Sequence, residues 1–322
     1  MPPRSSDGRW SRRHFLNAGA VSLGAALLPA SASASLRNGA SAGGAQQAAA
    51  NISTTDLGGA TLLQGAGCNV VAIAGPDGAL MVDGGLSANA GALLAAVTRA
   101  TSASRIHTLI NTHWHPEQTG ANDAVARSGG AIVAHEKTAI YESNTVYSSV
   151  MFRGRLAPLP KAARPTRTVR GDGRLPFPGQ EIDYGYMPAA HTDGDLYVHV
   201  PSLNLLAAGG VVCPDAWPLL DYRNGAWLGG RVRALERLAM LVKPDTRVVP
   251  ADGRVMTGSE IVRHRDMYQQ LFETMIGYLN MGLGPEDAVT RNPLKPYAAE
   301  FGDPAAFTYG ALRSMMIAYV PD

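Results

Sequence analysis

Three observations predict an α/β fold. Short apolar runs of strand length alternate with longer amphipathic stretches along most of the chain, the order expected of sheets covered by helices on both faces. Hydrophobic residues make up 46% and charged residues 17% of the 322 positions. That excludes a disordered chain, which needs low hydrophobicity and high net charge, and the length suffices to bury a sizeable core. The 36 glycines and the alanine-rich runs fit a loop-rich α/β protein better than a helical bundle. Aromatic residues at 7% and a formal charge of +2 give no nucleic-acid signature, so no nucleic-acid partner is expected. Without the first 34 residues the chain holds 24 basic and 25 acidic residues, a charge near −1.

Those first residues read as an address. Ser11-Arg12-Arg13-His14-Phe15-Leu16 is a twin-arginine pattern, followed by an apolar stretch from Phe15 to Leu28 that Pro29 ends. Ala30-Ser31-Ala32 or Ala32-Ser33-Ala34 offers a small-residue cleavage site. The competing reading, a membrane helix, needs ~20 apolar residues, more than this stretch supplies. We expect residues 1–34 to be a signal peptide for the twin-arginine export machinery. The mature protein would then be periplasmic or secreted, with no stable membrane span after cleavage. Residues 35–56, rich in Ala, Gly, Ser, Gln and Asn, read as a flexible linker, and residues 57–322 as one domain with a helical part from about residue 257.

Thr61–Gln64 and Asn69–Ala74 carry strand patterns, and Gly75-Pro76-Asp77-Gly78 turns the chain into a returning strand, Ala79–Val82. Ala88–Ala100 has helical spacing, and Ile106–Ile110 is a continuous apolar run of buried-strand type that stops at Asn111. A loop and helix, a strand at Ala131–Ala134 and a helix at Glu136–Glu142 follow. Ser143–Arg174, rich in Pro, Arg and Gly, fits neither period and reads as a lid or insertion. Strands are expected at Gln180–Met187, Leu196–Val200, Leu203–Ala207 and Arg247–Val249, with a helix at Val232–Leu241. Thr257-Gly258-Ser259-Glu260 is a capping box opening a long helix that Gly282 and Gly284-Pro285 end.

The chemistry sits at strand ends. His113 and His115 follow the buried strand at i and i+2, which on extended backbone places both rings on one side. Two such imidazoles can share a metal, and His191, in Ala190-His191-Thr192-Asp193-Gly194-Asp195, is the best third donor. Three histidines with one open position make a catalytic zinc arrangement, in which the metal lowers the pKa of its bound water to about 7. The alternative is a pair of surface or capping histidines. Cys68 and Cys213 are the only cysteines. An oxidising destination permits a bridge, but two small buried residues is the reading we favour.

From Leu57 to Gly253 the sequence resembles the metallo-β-lactamase superfamily. The resemblance rests on Val82-Asp83-Gly84-Gly85, His113-Trp114-His115, Ala134-His135-Glu136, His191-Thr192, Ala208-Gly209-Gly210 and Pro250-Ala251-Asp252-Gly253, in that order. It implies a four-layer αβ/βα sandwich of the metallo-β-lactamase type with a helical C-terminal extension. It also implies a first metal, Zn2+, on His113, His115 and His191. The family's second-metal positions fall on Glu117, Gln118, Gly210 and Asp252. Gly210 offers no side chain and Gln118 only a neutral amide, so one metal per chain is expected.

Glu117 stands where the family carries an aspartate, one methylene longer. It reads either as a general base or as a first-turn helix carboxylate. Asp252 reads as a metal ligand, as a partner orienting a ligand histidine, or as a loop cap. Both are our candidate catalytic residues. Asp83 is expected to fix the turn beneath the site. His107, His135, His199 and His264 are read as structural, with His264 on the polar side of its helix. Trp114 is expected to pack away from the metal. Trp217, Tyr222 and Trp227 either wall a substrate cleft or cover the core. Three functions follow in order of preference. The first is an exported metal-dependent hydrolase of an ester, amide or lactam-type bond in a small molecule. The second is a non-catalytic small-molecule or partner-binding protein on the same scaffold, and the third a redox-metal protein.

Overall fold

A computed structural model of the protein describes residues 51–319 apart from residue 153. The expected signal peptide, and the expected linker up to residue 50, lie outside the described residues. The last part of that linker is not a tether. Ser53–Asp56 is strand β1, paired antiparallel with β2 (Thr61–Gln64). All four β1 residues are exposed, so this edge strand has no apolar residue to announce it.

Strands β3 (Val70–Ile73) and β4 (Ala79–Val82) continue an antiparallel meander. Helix α1 (Ala90–Thr101) crosses over to β5 (Ile106–Ile110), parallel to β4. The chain then makes α2 (Pro116–Thr119), α3 (Asn122–Arg127), β6 (Ala131–His135), α4 (Glu136–Ser143) and β7 (Arg167–Val169), with β6 and β7 also parallel. These seven strands form one sheet in sequence order.

The second sheet has the order β13-β12-β11-β10-β9-β8. It comprises β8 (Gly173–Phe177), β9 (Gln180–Met187), β10 (Asp195–Val200) and β11 (Leu205–Gly209), then, after α5 (Leu228–Leu241), β12 (Arg247–Pro250) and β13 (Met256–Thr257). Helices α6 (Gly258–Asn280), α7 (Pro285–Arg291), α8 (Ala298–Phe301) and α9 (Ala305–Tyr319) complete the fold. Thr257 and Glu260 close the expected capping box on α6.

Three apolar clusters make this a four-layer sandwich. In β4, Leu80 and Val82 point into the cluster between the sheets, while Ala79 and Met81 join Leu93, Val97 and Val125 under α1 and α3. The period of two buries both faces of the strand, which is why it reads as an unbroken apolar run. The third cluster packs α5, α6 and α9 on the second sheet through Leu235, Leu271 and Leu312. The expected insertion 143–174 proves partly regular, since it contains β7 and the start of β8. Pro176 within β8 is tolerated because β8 is an edge strand. His264 corrects the sequence reading: it is buried, 1% exposed, on the core side of α6. Burial, reinforced by Arg263, drops its pKa to about 4. Cys68 and Cys213 are unbridged, and Cys213 is only partly buried.

Candidate metal centre

The site grows from the ends of the buried strands. Where β5 stops, Thr112 donates its backbone N–H to Asp83 Oδ1 and its hydroxyl to Oδ2, both at 2.8 Å. Asp83, at the end of β4, adopts a positive φ of 64°, and the turn so made ties the two strand ends together. Burial raises the Asp83 carboxyl to about 7, opposed by the Thr112 hydrogen bonds. Across the sandwich, Asp195 accepts from the backbone N–H of His191 at 2.6 Å and from both the N–H and hydroxyl of Thr192. Burial lifts Asp195 to about 6 against those same bonds.

The structure brings His113, His115 and His191 together with ligand nitrogens all within 4.8 Å of one another. Their ring centroids are 4.7 to 4.9 Å apart and the rings lie nearly perpendicular. An outer partner sets each tautomer. The Thr112 hydroxyl spends its hydrogen on Asp83, so at 3.0 Å it accepts from His113 Nδ1 and leaves Nε2 bare. His191 Nδ1 donates to the Leu219 carbonyl at 2.9 Å, again leaving Nε2. His115 Nε2 donates to Asp221 Oδ2 at 3.4 Å, leaving Nδ1. Bare His115 Nδ1 and His191 Nε2 then face each other at 3.2 Å. Two lone pairs at that distance repel unless a cation stands between them. Burial, with the neighbouring imidazoles adding to it, pushes His113 well below its ordinary value and His191 down to about 3. His113 and His191 are therefore neutral near pH 7, and the three-nitrogen donor set fits a metal ion.

Two residues in this arrangement carried no sequence signal. Asp221 is fully buried and gathers the Ser149 hydroxyl at 2.8 Å, the Asn224 amide at 2.8 Å and the Val150 N–H at 3.2 Å besides His115. Burial alone would raise its carboxyl, but these donors hold it below the usual range. It belongs to an aperiodic loop, so nothing in the local pattern points to it. Arg231 of α5 is also fully buried and donates to the carbonyls of Gly210, Val211 and Leu219. Leu219 O is thus shared between Arg231 and His191. In sequence Arg231 looks like an ordinary helix cation. Asp195 left a weaker trace, an Asp just beyond His191 placed to cap a tight turn.

The other expected site residues, Glu117 and Asp252 included, lie outside the three-histidine cluster. Glu117 is the second residue of α2 and partly buried, and its Oε2 is buried with no hydrogen-bond partner among the described residues. Asp252 is exposed on the turn after β12 and is not in the ligand cluster. Ala251 anchors that turn, donating to Gly209 O at 2.8 Å and accepting from Asn69 N at 2.7 Å. Buried Cys68 is raised far above its ordinary value, by burial first and then by the charges of Asp83, Glu117 and Asp252. Gln118 is buried, and its carbonyl accepts from Gly84 N at 2.7 Å and Asn111 Nδ2 at 2.9 Å. A Cβ on Gly210 would lie 2.3 Å from His191 Cδ2, so the His191 ring fills the space a side chain there would need.

Trp114 is buried and stacks on Tyr141 at 4.9 Å, with its edge to His115 at 4.5 Å. Trp217 donates Nε1 to Gly302 O and stacks on Phe307, while Trp227 packs on Phe272 and Tyr319. Trp217 and Trp227 thus pack on the helical core, while Trp217 and Tyr222 also line a cavity of about 450 Å³. His135 caps α4, and its ring stacks on Tyr186 at 3.8 Å.

An α/β sandwich with a buried three-histidine cluster at its strand ends defines a metal-site class of fold. The family model of the metallo-beta-lactamase superfamily matches residues 63–254, more than half of the chain, and the chain belongs to that superfamily. No curated protein sequence matches the chain. Among solved structures, it is similar to a metallo-beta-lactamase from Pontibacter korlensis at 21% identity and TM-score 0.51, over 68% of this chain and 93% of that one. It is also similar to the DIM-1 metallo-beta-lactamase at 14% identity and TM-score 0.55, over 69% and 98%. A stereoselective inverting sec-alkylsulfatase, Pisa1 from Pseudomonas sp., aligns at 16% identity and TM-score 0.59, over 81% of this chain and 49% of that one. These likenesses establish the shared fold.

Proposed function

We propose that the chain is an exported metal-dependent hydrolase that binds one zinc ion on His113, His115 and His191. Its reaction would be the attack of water on an ester, amide or lactam-type bond in a small-molecule substrate. The observation that carries this reading is the convergence of three imidazoles whose outer nitrogens are all committed to fixed partners. A zinc bound there supplies Lewis acidity and lowers the pKa of water. The chain's own part is to hold the three donors rigid through Asp83–Thr112, Asp221 and the Leu219 carbonyl. Glu117 is the general base, since its buried and unengaged Oε2 can hold the proton taken from the attacking water. Asp252, exposed at the neighbouring turn, fits contact with substrate rather than with the buried rings. One metal is the expected number because His191 fills the space beside Gly210 and Gln118 offers only an amide.

Hydrolysis of a chromogenic ester, a lactam and an alkyl sulfate by metal-loaded protein tests the reading. Turnover of at least one should vanish on metal removal and in His115→Ala, and fall about 10²–10⁴-fold in Glu117→Gln. Metal-loaded protein inert toward every such bond class would favour the binding-protein alternative. Export is supported by Arg12-Arg13 before the apolar stretch. Replacing both with lysine should leave the protein in the cytoplasm, and export unchanged in that variant would remove the twin-arginine reading.

A further inference from the structure

Behind the His113-Trp114-His115 segment lies a cavity of about 380 Å³, walled by α2, α3, α4 and residues 156–163. Its lining is mainly apolar and aromatic, including Trp114, Tyr141, Leu156 and Leu159. Two carboxylates, Glu142 and Asp123, also line it, and no Lys or Arg does so among the described residues. Asp123 is paired with Arg127 at the surface. Glu142 is 4% exposed, and neither carboxylate oxygen has a hydrogen-bond partner among the described residues. Arg164 acts on it only through space, its Nε being engaged by the Leu159 carbonyl. The indole Nε1 of Trp114, in the same wall, is buried and unengaged as well.

A buried acid with both oxygens unmatched is costly unless something supplies donors or positive charge. The metal centre does not use Glu142, and no contact of the fold accounts for it. The surroundings select the complement: a lining that holds an unpartnered buried acid and no Lys or Arg among the described residues favours a cation, and the aromatic and aliphatic walls favour an organic one. We propose that this cavity is a binding site for a small organic ammonium ligand, its nitrogen donating to the Glu142 carboxylate as that acid releases its proton to solvent, and its apolar body lying along Trp114 and Tyr141. The site is separate from the three-histidine cluster but shares Trp114 with it, so an occupant rests against the residue that separates two of the ligand histidines.

Calorimetric titration of the full chain with benzylammonium, and with benzyl alcohol as its neutral counterpart, tests this. Benzylammonium should bind saturably, about one per chain, at least about tenfold tighter than the alcohol. Glu142→Gln should weaken it about tenfold or more, and so should Ala157→Phe, which narrows the cavity from an exposed position while keeping the acid. An amine held by the metal centre instead would bind equally well in both variants. That result, no saturable binding, or equal affinity for the alcohol would each overturn the proposal.

Discussion

The Asp221 carboxylate joins a ligand histidine to the covering segment of the site, with Oδ2 lying 3.4 Å from His115 Nε2 and 2.8 Å from Ser149 Oγ. Its other oxygen accepts from Val150 N. One buried acid thus fixes the His115 tautomer and pins residues 149–150 above it. Asp221→Asn keeps the shape but loses the charge and can present an amide N–H to His115. Metal affinity should fall about 10–100-fold by chelator competition. Hydrogen exchange at residues 148–151 should rise in the same variant. Unchanged values on both measurements would show that Asp221 serves packing alone.

Gly210 and His191 compete for one volume. Gly210→Asp, which adds a carboxylate at one of the second-metal positions, places a Cβ where the His191 ring now lies. The expected outcome is displacement of His191 and metal affinity lower by about tenfold or more, with no second ion gained. Two tightly bound ions in the variant would contradict the steric account.

Glu142 should make stability depend on pH. Burial raises its carboxyl from 4.5 to about 8, opposed by the charge of Arg164. The folded chain therefore keeps this proton over a range in which the unfolded chain has lost it. Stability falls as pH rises from about 4.5 through about 8. Glu142→Gln removes that dependence, so its unfolding free energy should gain on the wild type toward alkaline pH. A gain of about 1–3 kcal/mol by pH 8 is the scale of a buried unmatched polar group. Parallel stability curves for the two proteins between pH 5 and 8 would contradict it.

The parts of the fold visible in the sequence are those where burial imposes a pattern. Strands β2, β4, β5 and β9 end where the apolar pattern ends, and the α6 cap is written in Thr257 and Glu260. Strand β1 escaped because an exposed edge strand needs backbone partners and no apolar side chains. Strand β7 is three residues in an arginine-rich stretch, and β8 carries a proline that only an edge allows. His264 reads as solvent-facing because one buried polar residue inside an amphipathic stripe looks like part of its solvent face. At the site, the three histidines could be read because strand ends and local spacing announce them. Asp221 and Arg231 could not, since they act across 106 residues to His115 and through the carbonyl of Leu219. Such partners are set by tertiary structure and leave no local periodicity.

One metal ion on His113, His115 and His191 is the core of the proposed function. Elemental analysis of the purified protein and of His113→Ala addresses it most directly. About one metal per chain in the wild type, lost in the variant, is the expected result. A wild type free of metal after purification from metal-replete cells, or a variant that retains its full complement, would contradict it.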